Sequence, residues 1–145
     1  MSEIIYQYPS GTVLPKASNQ PASIRRLRAD DYPVFVRHLE LCGQRPISRG
    51  IWNEIFSDGT IYFGLFESGE MVARACREII TPDQWEIADV RVVSDFRNRG
   101  LAFQICRHVL EYIISEGKTP TIRTEEHNIA MQKIIAKLGF APVPQ

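Results

Sequence analysis

The most informative segment of this chain is Val90-Arg91-Val92-Val93-Ser94-Asp95-Phe96-Arg97-Asn98-Arg99-Gly100-Leu101-Ala102. Its first residues predict the end of a strand, and a polar loop follows them. An amphipathic helix is predicted after the loop, because apolar residues recur with the spacing of one helix face, at Leu101, Ile105, Val109 and Ile113. Backbone N–H groups at a helix start bind phosphate oxygens, and Gly100 lets a phosphate approach the backbone closely. The segment therefore predicts an anion-binding site where a strand leads into a helix.

The loop differs from the two common nucleotide-binding loops. It lacks the Gly-Lys-Ser/Thr ending of a Walker loop and the Gly-x-Gly-x-x-Gly pattern of dinucleotide sites. Arg97 and Arg99 could neutralise a phosphate through forked hydrogen bonds. The alternative is a surface loop with solvated arginines, and the string Arg97-x-x-Gly100-x-Ala102 alone does not decide between the two.

The elements around this segment predict a mixed sheet. Before it, the patterns predict a strand at 23–28, two helices at 29–43 and 48–56, and an antiparallel meander at 60–66, 71–80 and 85–93. After it, they predict a helix at 101–117, a strand at 121–124 and a last helix that Asn128 caps and Gly139 ends. The strand at 121–124 follows a helix, which implies a right-handed crossover to a parallel neighbour. In the helix at 48–56, the residues predicted to face inward are Ile51, Trp52, Ile55 and Phe56.

Two linked motifs then identify a family resemblance. Arg97-x-x-Gly100-x-Ala102 resembles the pyrophosphate loop of the GNAT superfamily of acyl-CoA-dependent N-acyltransferases, and Asn128 followed by Leu138-Gly139-Phe140 is similar to the family's final motif. The resemblance covers Ser23–Phe140 and agrees with the predicted order of elements. It implies an α/β (α+β) fold, with a mixed central sheet, an antiparallel meander, splayed parallel strands and about four helices.

The resemblance also implies a site for acetyl-CoA, or another acyl-CoA, as co-substrate, without a metal. The backbone of Val90, Arg91 and Val92 would pair with the pantetheine amides, as an added strand pairs with a sheet edge. Asn128 would contact the cofactor near its arm. The pyrophosphate would lie on the loop formed by Arg97, Asn98, Arg99, Gly100, Leu101 and Ala102.

The reaction implied is attack of an amine on a thioester, so the amine must first lose a proton. Glu86, fourteen positions before Gly100, matches the glutamate base of some members, although it could equally be an ordinary strand residue. Asp89 is the next candidate and the cluster Glu125-Glu126-His127 is the third. A backbone N–H of Val90–Val92 would be the donor to the thioester oxygen.

The sequence departs from the family pattern in two places. Ile135 occupies the position at which the family often has a tyrosine that protonates the leaving thiolate, and Tyr112 and Tyr62 are possible substitutes. Family members also usually continue past Gly-Phe with one or two strands. We expect Glu3–Tyr8 to fold back, or to swap between protomers, and to cover part of that sheet edge. In the family the substrate wall is often built from those strands, so the acceptor site here could be incomplete or shared in a dimer.

Composition bounds the remaining possibilities. The 145 residues predict one acyltransferase domain at 23–145, preceded at 1–22 by an arm or linker that could add an edge strand. Net charge is zero, which argues against a nucleic-acid partner. The absence of a signal sequence and of a long apolar stretch argues against a membrane partner and favours the cytoplasm. The three cysteines, Cys42, Cys76 and Cys106, are expected to be reduced, small apolar residues.

The function predicted from these features is transfer of acetyl from acetyl-CoA to the primary amine of a small molecule by direct attack. The alternative is a catalytically inactive acyl-CoA sensor or interaction module with the same fold. A homodimer is a possible assembly of this chain. Four arginines in or near the first two helices could line a site for an acceptor that also carries a carboxylate or phosphate, or could be surface charge: Arg25, Arg26, Arg45 and Arg49.

Overall fold

A mixed β-sheet forms the centre of the computed structural model, which describes residues 2–17 and 23–144. The strands are β1 (Glu3–Gln7), β2 (Ser23–Arg26), β3 (Ile61–Glu67), β4 (Glu70–Ile79), β5 (Gln84–Val92), β6 (Thr119–Glu125) and β7 (Ala141–Pro142). Their order in the sheet is β2-β3-β4-β5-β6-β1-β7. Only the β5–β6 pair is parallel among the described strands. The predicted α/β architecture with an antiparallel meander is confirmed.

Helices cover both faces of the sheet: α1 (Tyr32–Leu41), α2 (Arg49–Ser57), α3 (Leu101–Ser115) and α4 (Ile129–Leu138). The predicted cap of α4 is confirmed, because the Asn128 side chain accepts a hydrogen bond from the Met131 N–H at 3.1 Å. Gly139 ends that helix with a left-handed φ of 106°. The first helix begins later than predicted, since residues 29–31 form a 3-10 turn before α1.

Two apolar clusters lie on opposite faces of the sheet. The larger one packs α3 against the sheet through Ile105, Val109 and Ile113, all fully buried. The smaller one packs α1 and α2 against the other face around Trp52. One inward prediction is wrong: Ile51 is 48% exposed. The sequence register of α2 places Trp52, Ile55 and Phe56 on the packed side, and Ile51 falls beyond its edge.

The N-terminal segment belongs to the sheet of its own chain. Strand β1 pairs antiparallel with β6 over five residue pairs, and on its other side with the short strand β7. The chain then crosses α3, where Arg107 Nε donates to the Pro15 carbonyl at 2.7 Å. Strand β1 therefore covers the β6 edge of its own chain. The predicted boundary at residue 22 lies outside the described residues, and both the domain division and the homodimer stay predictions.

The parallel strands separate part of the way along. Strands β5 and β6 pair only from Gln84–Thr119 to Ile87–Ile122, and β5 then continues to Val92 without β6 as neighbour. The register between β4 and β5 also shifts there, which makes a β-bulge at Asp89, whose φ is +50°. The splay implied by the family resemblance is thus present, and it opens a gap beside residues 88–92. None of the described helices is long and apolar enough to cross a membrane.

Candidate functional site

A cleft of about 630 Å³ opens at the splay, between the end of β5, the start of α3 and α4. This volume suits a small-molecule ligand. Nine of the ten residues predicted to bind the cofactor line the cleft, all but Arg99. They are Val90, Arg91, Val92, Arg97, Asn98, Gly100, Leu101, Ala102 and Asn128. The fold therefore brings together residues that the sequence separates by nearly forty positions.

The open edge of β5 presents main-chain polar groups to this cleft. Val93 N–H donates to the Val72 carbonyl of β4 at 2.9 Å, so Val93 faces β4. Because main-chain groups alternate in direction along a strand, Val92 and Val90 point theirs into the gap. In agreement, the Val92 carbonyl accepts from Arg97 Nε at 3.3 Å rather than from a strand. The edge can therefore pair with an extended amide-bearing ligand.

The start of α3 supplies an anion cradle. Gly100 is the N-cap, with a left-handed φ of 77°, and a Cβ built on it would meet no atom within 4 Å. Among the described residues, no acceptor takes the backbone N–H groups of residues 98–103. Free N–H groups and the helix dipole together favour a phosphate at this position. The cradle fits the pyrophosphate of coenzyme A.

The two loop arginines behave differently from each other. The Arg99 guanidinium forms hydrogen bonds of 2.9 Å to both carboxylate oxygens of Glu67, and it lies 5.2 Å from the centre of the Phe96 ring. Its charge is therefore already partnered. Arg97 lies at the exposed rim and contacts only the Val92 carbonyl. Of the two, Arg97 is the better placed to meet an anion.

Lysines that the sequence interpretation missed add positive charge to the cleft. Lys133 and Lys137 line it from α4, one helical turn apart. Lys16, from the N-terminal segment, lines an adjoining pocket of about 350 Å³ that shares Gly100 and Lys137 with the cleft. The helical spacing of Lys133 and Lys137 after Asn128 was a usable signal for the first two. No sequence pattern predicts that Lys16 reaches α3.

Asp89 occupies the bulge on the face of the sheet that α1 covers. Its carboxylate accepts from the Tyr62 hydroxyl at 2.5 Å and from Arg74 at 2.9 and 3.1 Å. Its side chain is nevertheless 42% exposed, whereas that of Arg74 is 3% exposed. The donors fix the carboxylate in place and leave part of it exposed, but Asp89 does not line the cleft.

Glu86 has a different environment. Arg123 donates to both of its carboxylate oxygens at 2.9 and 3.1 Å, and the Thr121 hydroxyl donates at 3.1 Å. The Glu86 side chain is only 7% exposed and does not line the cleft. Its assignment as the base stays a prediction. In the third candidate cluster, Glu125 pairs with His127 at 3.1 Å in an exposed turn.

No tyrosine of the described residues lines the cleft to replace the acid tyrosine whose position Ile135 occupies. Ile135 is fully buried, and none of the five tyrosines, all of which lie in the described ranges, lines the cleft. Tyr112 packs beside Trp85, with ring centres 6.1 Å apart. The Tyr62 hydroxyl donates to Asp89, and burial is the main cause that raises its pKa. A tyrosine acid in this cleft is therefore without support from the geometry.

His38 shapes the charge on the same face. Its ring is fully buried, and Nδ1 lies 3.0 Å from the Met71 carbonyl, so Nδ1 carries the proton. The pKa of His38 is lowered to about 4: burial is the largest cause, the hydrogen bond to the Met71 carbonyl opposes it, and the positive charges of Arg74 and Arg91 contribute to the lowering. The ring is neutral near pH 7. Across residues 2–17 and 23–144, no three His, Cys, Asp or Glu side chains are grouped as metal ligands.

Solved structures share this architecture. A GNAT-family protein from Novosphingobium aromaticivorans is 20% identical over 99% of this chain and 61% of its own, with a TM-score of 0.72. The ribosomal-protein-S18-alanine N-acetyltransferase of Escherichia coli is 20% identical over 86% of this chain and 80% of its own, with a TM-score of 0.70. AAC(6')-Iy, in complex with a bisubstrate analog of coenzyme A and acetylneamine, is 18% identical over 87% and 95%, with a TM-score of 0.71. At this identity the likeness establishes the fold.

Two further findings bound the comparison. The chain spans 61% of the Novosphingobium protein and 52% of a related structure from Colwellia psychrerythraea. A comparison with curated protein sequences gave no match. The model of the acetyltransferase (GNAT) family matches residues 22–140, most of the chain, and this chain therefore belongs to that family.

Proposed function

We propose that the chain is an N-acetyltransferase that passes acetyl from acetyl-CoA to the primary amine of a small molecule by direct attack. One observation carries the proposal. The open edge of β5 and the free N–H groups before α3 line one cleft, and the partly exposed Asp89 carboxylate lies one residue before its first lining residue, Val90, although it does not line the cleft itself. A site for the donor and a carboxylate for the amine thus share one short segment, residues 89–102.

In the binding step, each part of the cleft has its own task. The main-chain groups of Val90 and Val92 would hold the pantetheine arm, and the N–H groups around Gly100 would hold the pyrophosphate. Lys133, Lys137 and Arg97 would neutralise the phosphates. Acetyl-CoA, when bound, supplies the activated thioester. The AAC(6')-Iy complex supports a coenzyme A site in this fold.

In the chemical step, a carboxylate must take the amine proton, because an ammonium has no lone pair. Asp89 and Glu86 are the candidates on this face of the sheet. Each carboxylate has both oxygens bound to an arginine, so only exposure favours Asp89, whose side chain is 42% exposed against 7% for Glu86. Glu86 would then hold Arg123 and Thr121 in place. The leaving sulfur needs no dedicated acid, because a thiol has a pKa of about 8.5.

We prefer a small-molecule acceptor to a protein amine only because the sequence has no acidic run that would attract a basic peptide. Related structures include both kinds of enzyme, an aminoglycoside acetyltransferase and a ribosomal-protein acetyltransferase. The zero net charge argues against a nucleic-acid partner. We keep the cytoplasm as the proposed location.

The proposal is tested by two measurements on the full chain. Calorimetric titration with acetyl-CoA should show micromolar binding, about −8 kcal/mol. A thiol-release assay with acetyl-CoA and a panel of primary amines should then show turnover. Failure of the wild-type protein to bind acetyl-CoA would refute the proposal.

A catalytically silent acyl-CoA sensor is the second candidate. The observations in its favour are the buried Ile135 in the tyrosine position and the ion-paired Glu86. Both candidates predict acetyl-CoA binding, so the titration does not separate them. Release of free thiol that depends on an added amine would establish the enzyme, and binding without such release across the panel would favour the sensor.

A further inference from the structure

Arg91 stands out among the cations on the face of the sheet that α1 covers. It is the cross-strand partner of Arg74, and residues directly opposite each other project from the same face. Arg74 lies over the Phe35 ring of α1, 5.8 Å from its centre, and donates to Gln44. The bulge at Asp89 sets this register, so Arg91 and Asp89 both serve the face opposite to α3.

The Arg91 side chain lacks a counter-ion. In the part of the chain that the structure describes, it forms no ion pair and no hydrogen bond, and its Nε is buried without an acceptor. Two other arginines on the sheet have counter-ions, since Arg74 binds Asp89 and Arg123 binds Glu86. Arg77 also has a buried free Nε, but it donates through Nη2 to the Gly59 carbonyl and stacks on Trp85.

The surroundings of Arg91 cannot supply the missing charge. His38 is neutral near pH 7, and its protonated Nδ1 faces Met71. Asp89 is bound to Arg74 and Tyr62. A buried guanidinium N–H without an acceptor costs free energy, which an anionic ligand would recover. Arg91 is only half-buried and borders the cleft, so such a ligand can reach it.

We propose that the acceptor is a primary amine that also carries a carboxylate, with Arg91 binding the carboxylate and Asp89 facing the ammonium. This inference rests on the proposed acetyltransferase function. One guanidinium fork matches one carboxylate in charge and geometry, whereas a phosphate dianion would call for a second free cation. Asp89 and Arg91 lie two residues apart and both pack on the face of Arg74, so one short amino acid can span them.

The reaction balances with these groups. The amine nitrogen forms a bond to the acetyl carbon as the carbon–sulfur bond breaks. Asp89 takes the first proton from the ammonium, directly or through water, before the attack. The nitrogen loses a second proton to water as the amide forms, and the sulfur leaves as the thiolate of coenzyme A. Arg91 takes no proton in this scheme, so it is a positioning residue. Its loss should raise the KM for the acceptor more than it lowers kcat.

The test compares matched acceptors. With acetyl-CoA saturating, kcat/KM is measured for L-alanine, β-alanine and 4-aminobutyrate, for their uncharged amides and for phosphoethanolamine. We expect at least one amino acid to exceed its amide by about tenfold to a hundredfold. Arg91→Met should abolish this ratio and Arg91→Lys should restore part of it. Arg28→Met, which removes one charge from an exposed pair with Asp30, should leave the ratio intact.

The outcomes separate the two proposals. Absence of acetyl-CoA binding refutes the acetyltransferase itself. Turnover without a carboxylate preference, a preference for phosphoethanolamine, or a preference that survives Arg91→Met refutes this inference alone. If no acceptor is acetylated, the Arg91 Nε–H resonance, assigned by its loss in Arg91→Lys, decides the matter in the coenzyme A complex. A shift of that resonance by millimolar 4-aminobutyrate supports the inference, and no shift with any of the three amino acids refutes it.

Discussion

At the scale of single residues, Gly100 combines two requirements that no other residue meets as well. Its φ of 77° is unfavourable for a residue with a Cβ, and its missing side chain leaves the cleft open where a phosphate would lie. Gly117, beyond the other end of α3, has a nearly equal φ of 72° and equally open surroundings, but it does not line the cleft. A comparison of variants at the two glycines therefore separates the free-energy cost of a left-handed residue from the effect on ligand binding.

We expect Gly100→Ala and Gly117→Ala to destabilise the protein equally, by about 1–2 kcal/mol, because each forces a left-handed alanine. Only Gly100→Ala should weaken acetyl-CoA binding, by roughly tenfold or more, since its methyl group obstructs the anion cradle. Urea denaturation and calorimetric titration measure the two effects. Equal acetyl-CoA affinities of the two variants would show that the phosphates bind elsewhere.

Asp89 offers a clean variant at its unusual backbone position. Asparagine tolerates a positive φ better than most residues, so Asp89→Asn should fold. If Asp89 is the proton acceptor, kcat should fall by about 10²–10⁴. Glu86→Gln, whose amide oxygen can still accept one hydrogen bond from Arg123, should lower kcat much less. Steady-state kinetics between pH 6 and 9 make the comparison, and a larger loss in Glu86→Gln would restore Glu86 as the base.

At the scale of elements, local sequence signals predicted most of the helices and strands, but they did not predict contacts between residues distant in the sequence. The capped start of α4, the β4–β5 meander and the loop before α3 follow from spacing and from residues with strong local preferences, such as Asn128 and Gly100. The pairing of Arg99 with Glu67 joins residues thirty-two positions apart and has no local signature. The bulge at Asp89 likewise depends on the register with β4, which the sequence of β5 alone does not specify.

The N-terminal segment gives a second example. The short C-terminal end led us to expect that Glu3–Tyr8 covers a sheet edge, yet the place of β1 between β6 and β7 depends on the whole sheet. Tyr8 then packs edge-on against Phe140, with ring centres 5.3 Å apart, and its hydroxyl is buried without a partner among the described residues. Tyr62 is also buried, but its hydroxyl donates to Asp89. Replacement of tyrosine by phenylalanine should therefore have opposite effects on the free energy of unfolding at positions 8 and 62.

We expect Tyr8→Phe to leave the free energy of unfolding unchanged or to raise it by up to about 1 kcal/mol, because it removes an unpaired buried hydroxyl. Tyr62→Phe should lower it by about 1.5–3 kcal/mol, since a hydrogen bond to a carboxylate is lost. Tyr8→Ala should cost about 3 kcal/mol through the lost packing on Phe140. Urea denaturation of the three variants tests the set, and a loss in Tyr8→Phe similar to that in Tyr62→Phe would reveal a partner for the Tyr8 hydroxyl.

At the scale of the whole molecule, the proposed function divides the donor and the acceptor between two faces of the sheet. The face under α3 and the adjoining cleft would supply N–H groups and lysines for the anionic donor. The face under α1 would supply Asp89 and Arg91 for the acceptor. The splay after Ile87 and Ile122 is the opening between them. Burial of His38 beneath the acceptor face keeps a third positive charge away from this region near pH 7, because its pKa is lowered to about 4.

The depressed pKa of His38 makes stability depend on pH in a defined window. In the unfolded chain His38 titrates near 6.5, so between pH 6.5 and 4 the unfolded state binds more protons than the folded state. Its contribution to stability is complete above pH 6.5 and is lost as the pH falls towards 4. We expect wild-type protein to lose roughly 2–3 kcal/mol more than His38→Asn between pH 7.5 and 4.5, measured by urea denaturation. The exposed His127→Asn variant should follow the wild-type curve. Parallel curves for wild type and His38→Asn would mean that the folded protein accommodates a charged His38, and the acceptor face would then carry an additional cation under acidic conditions.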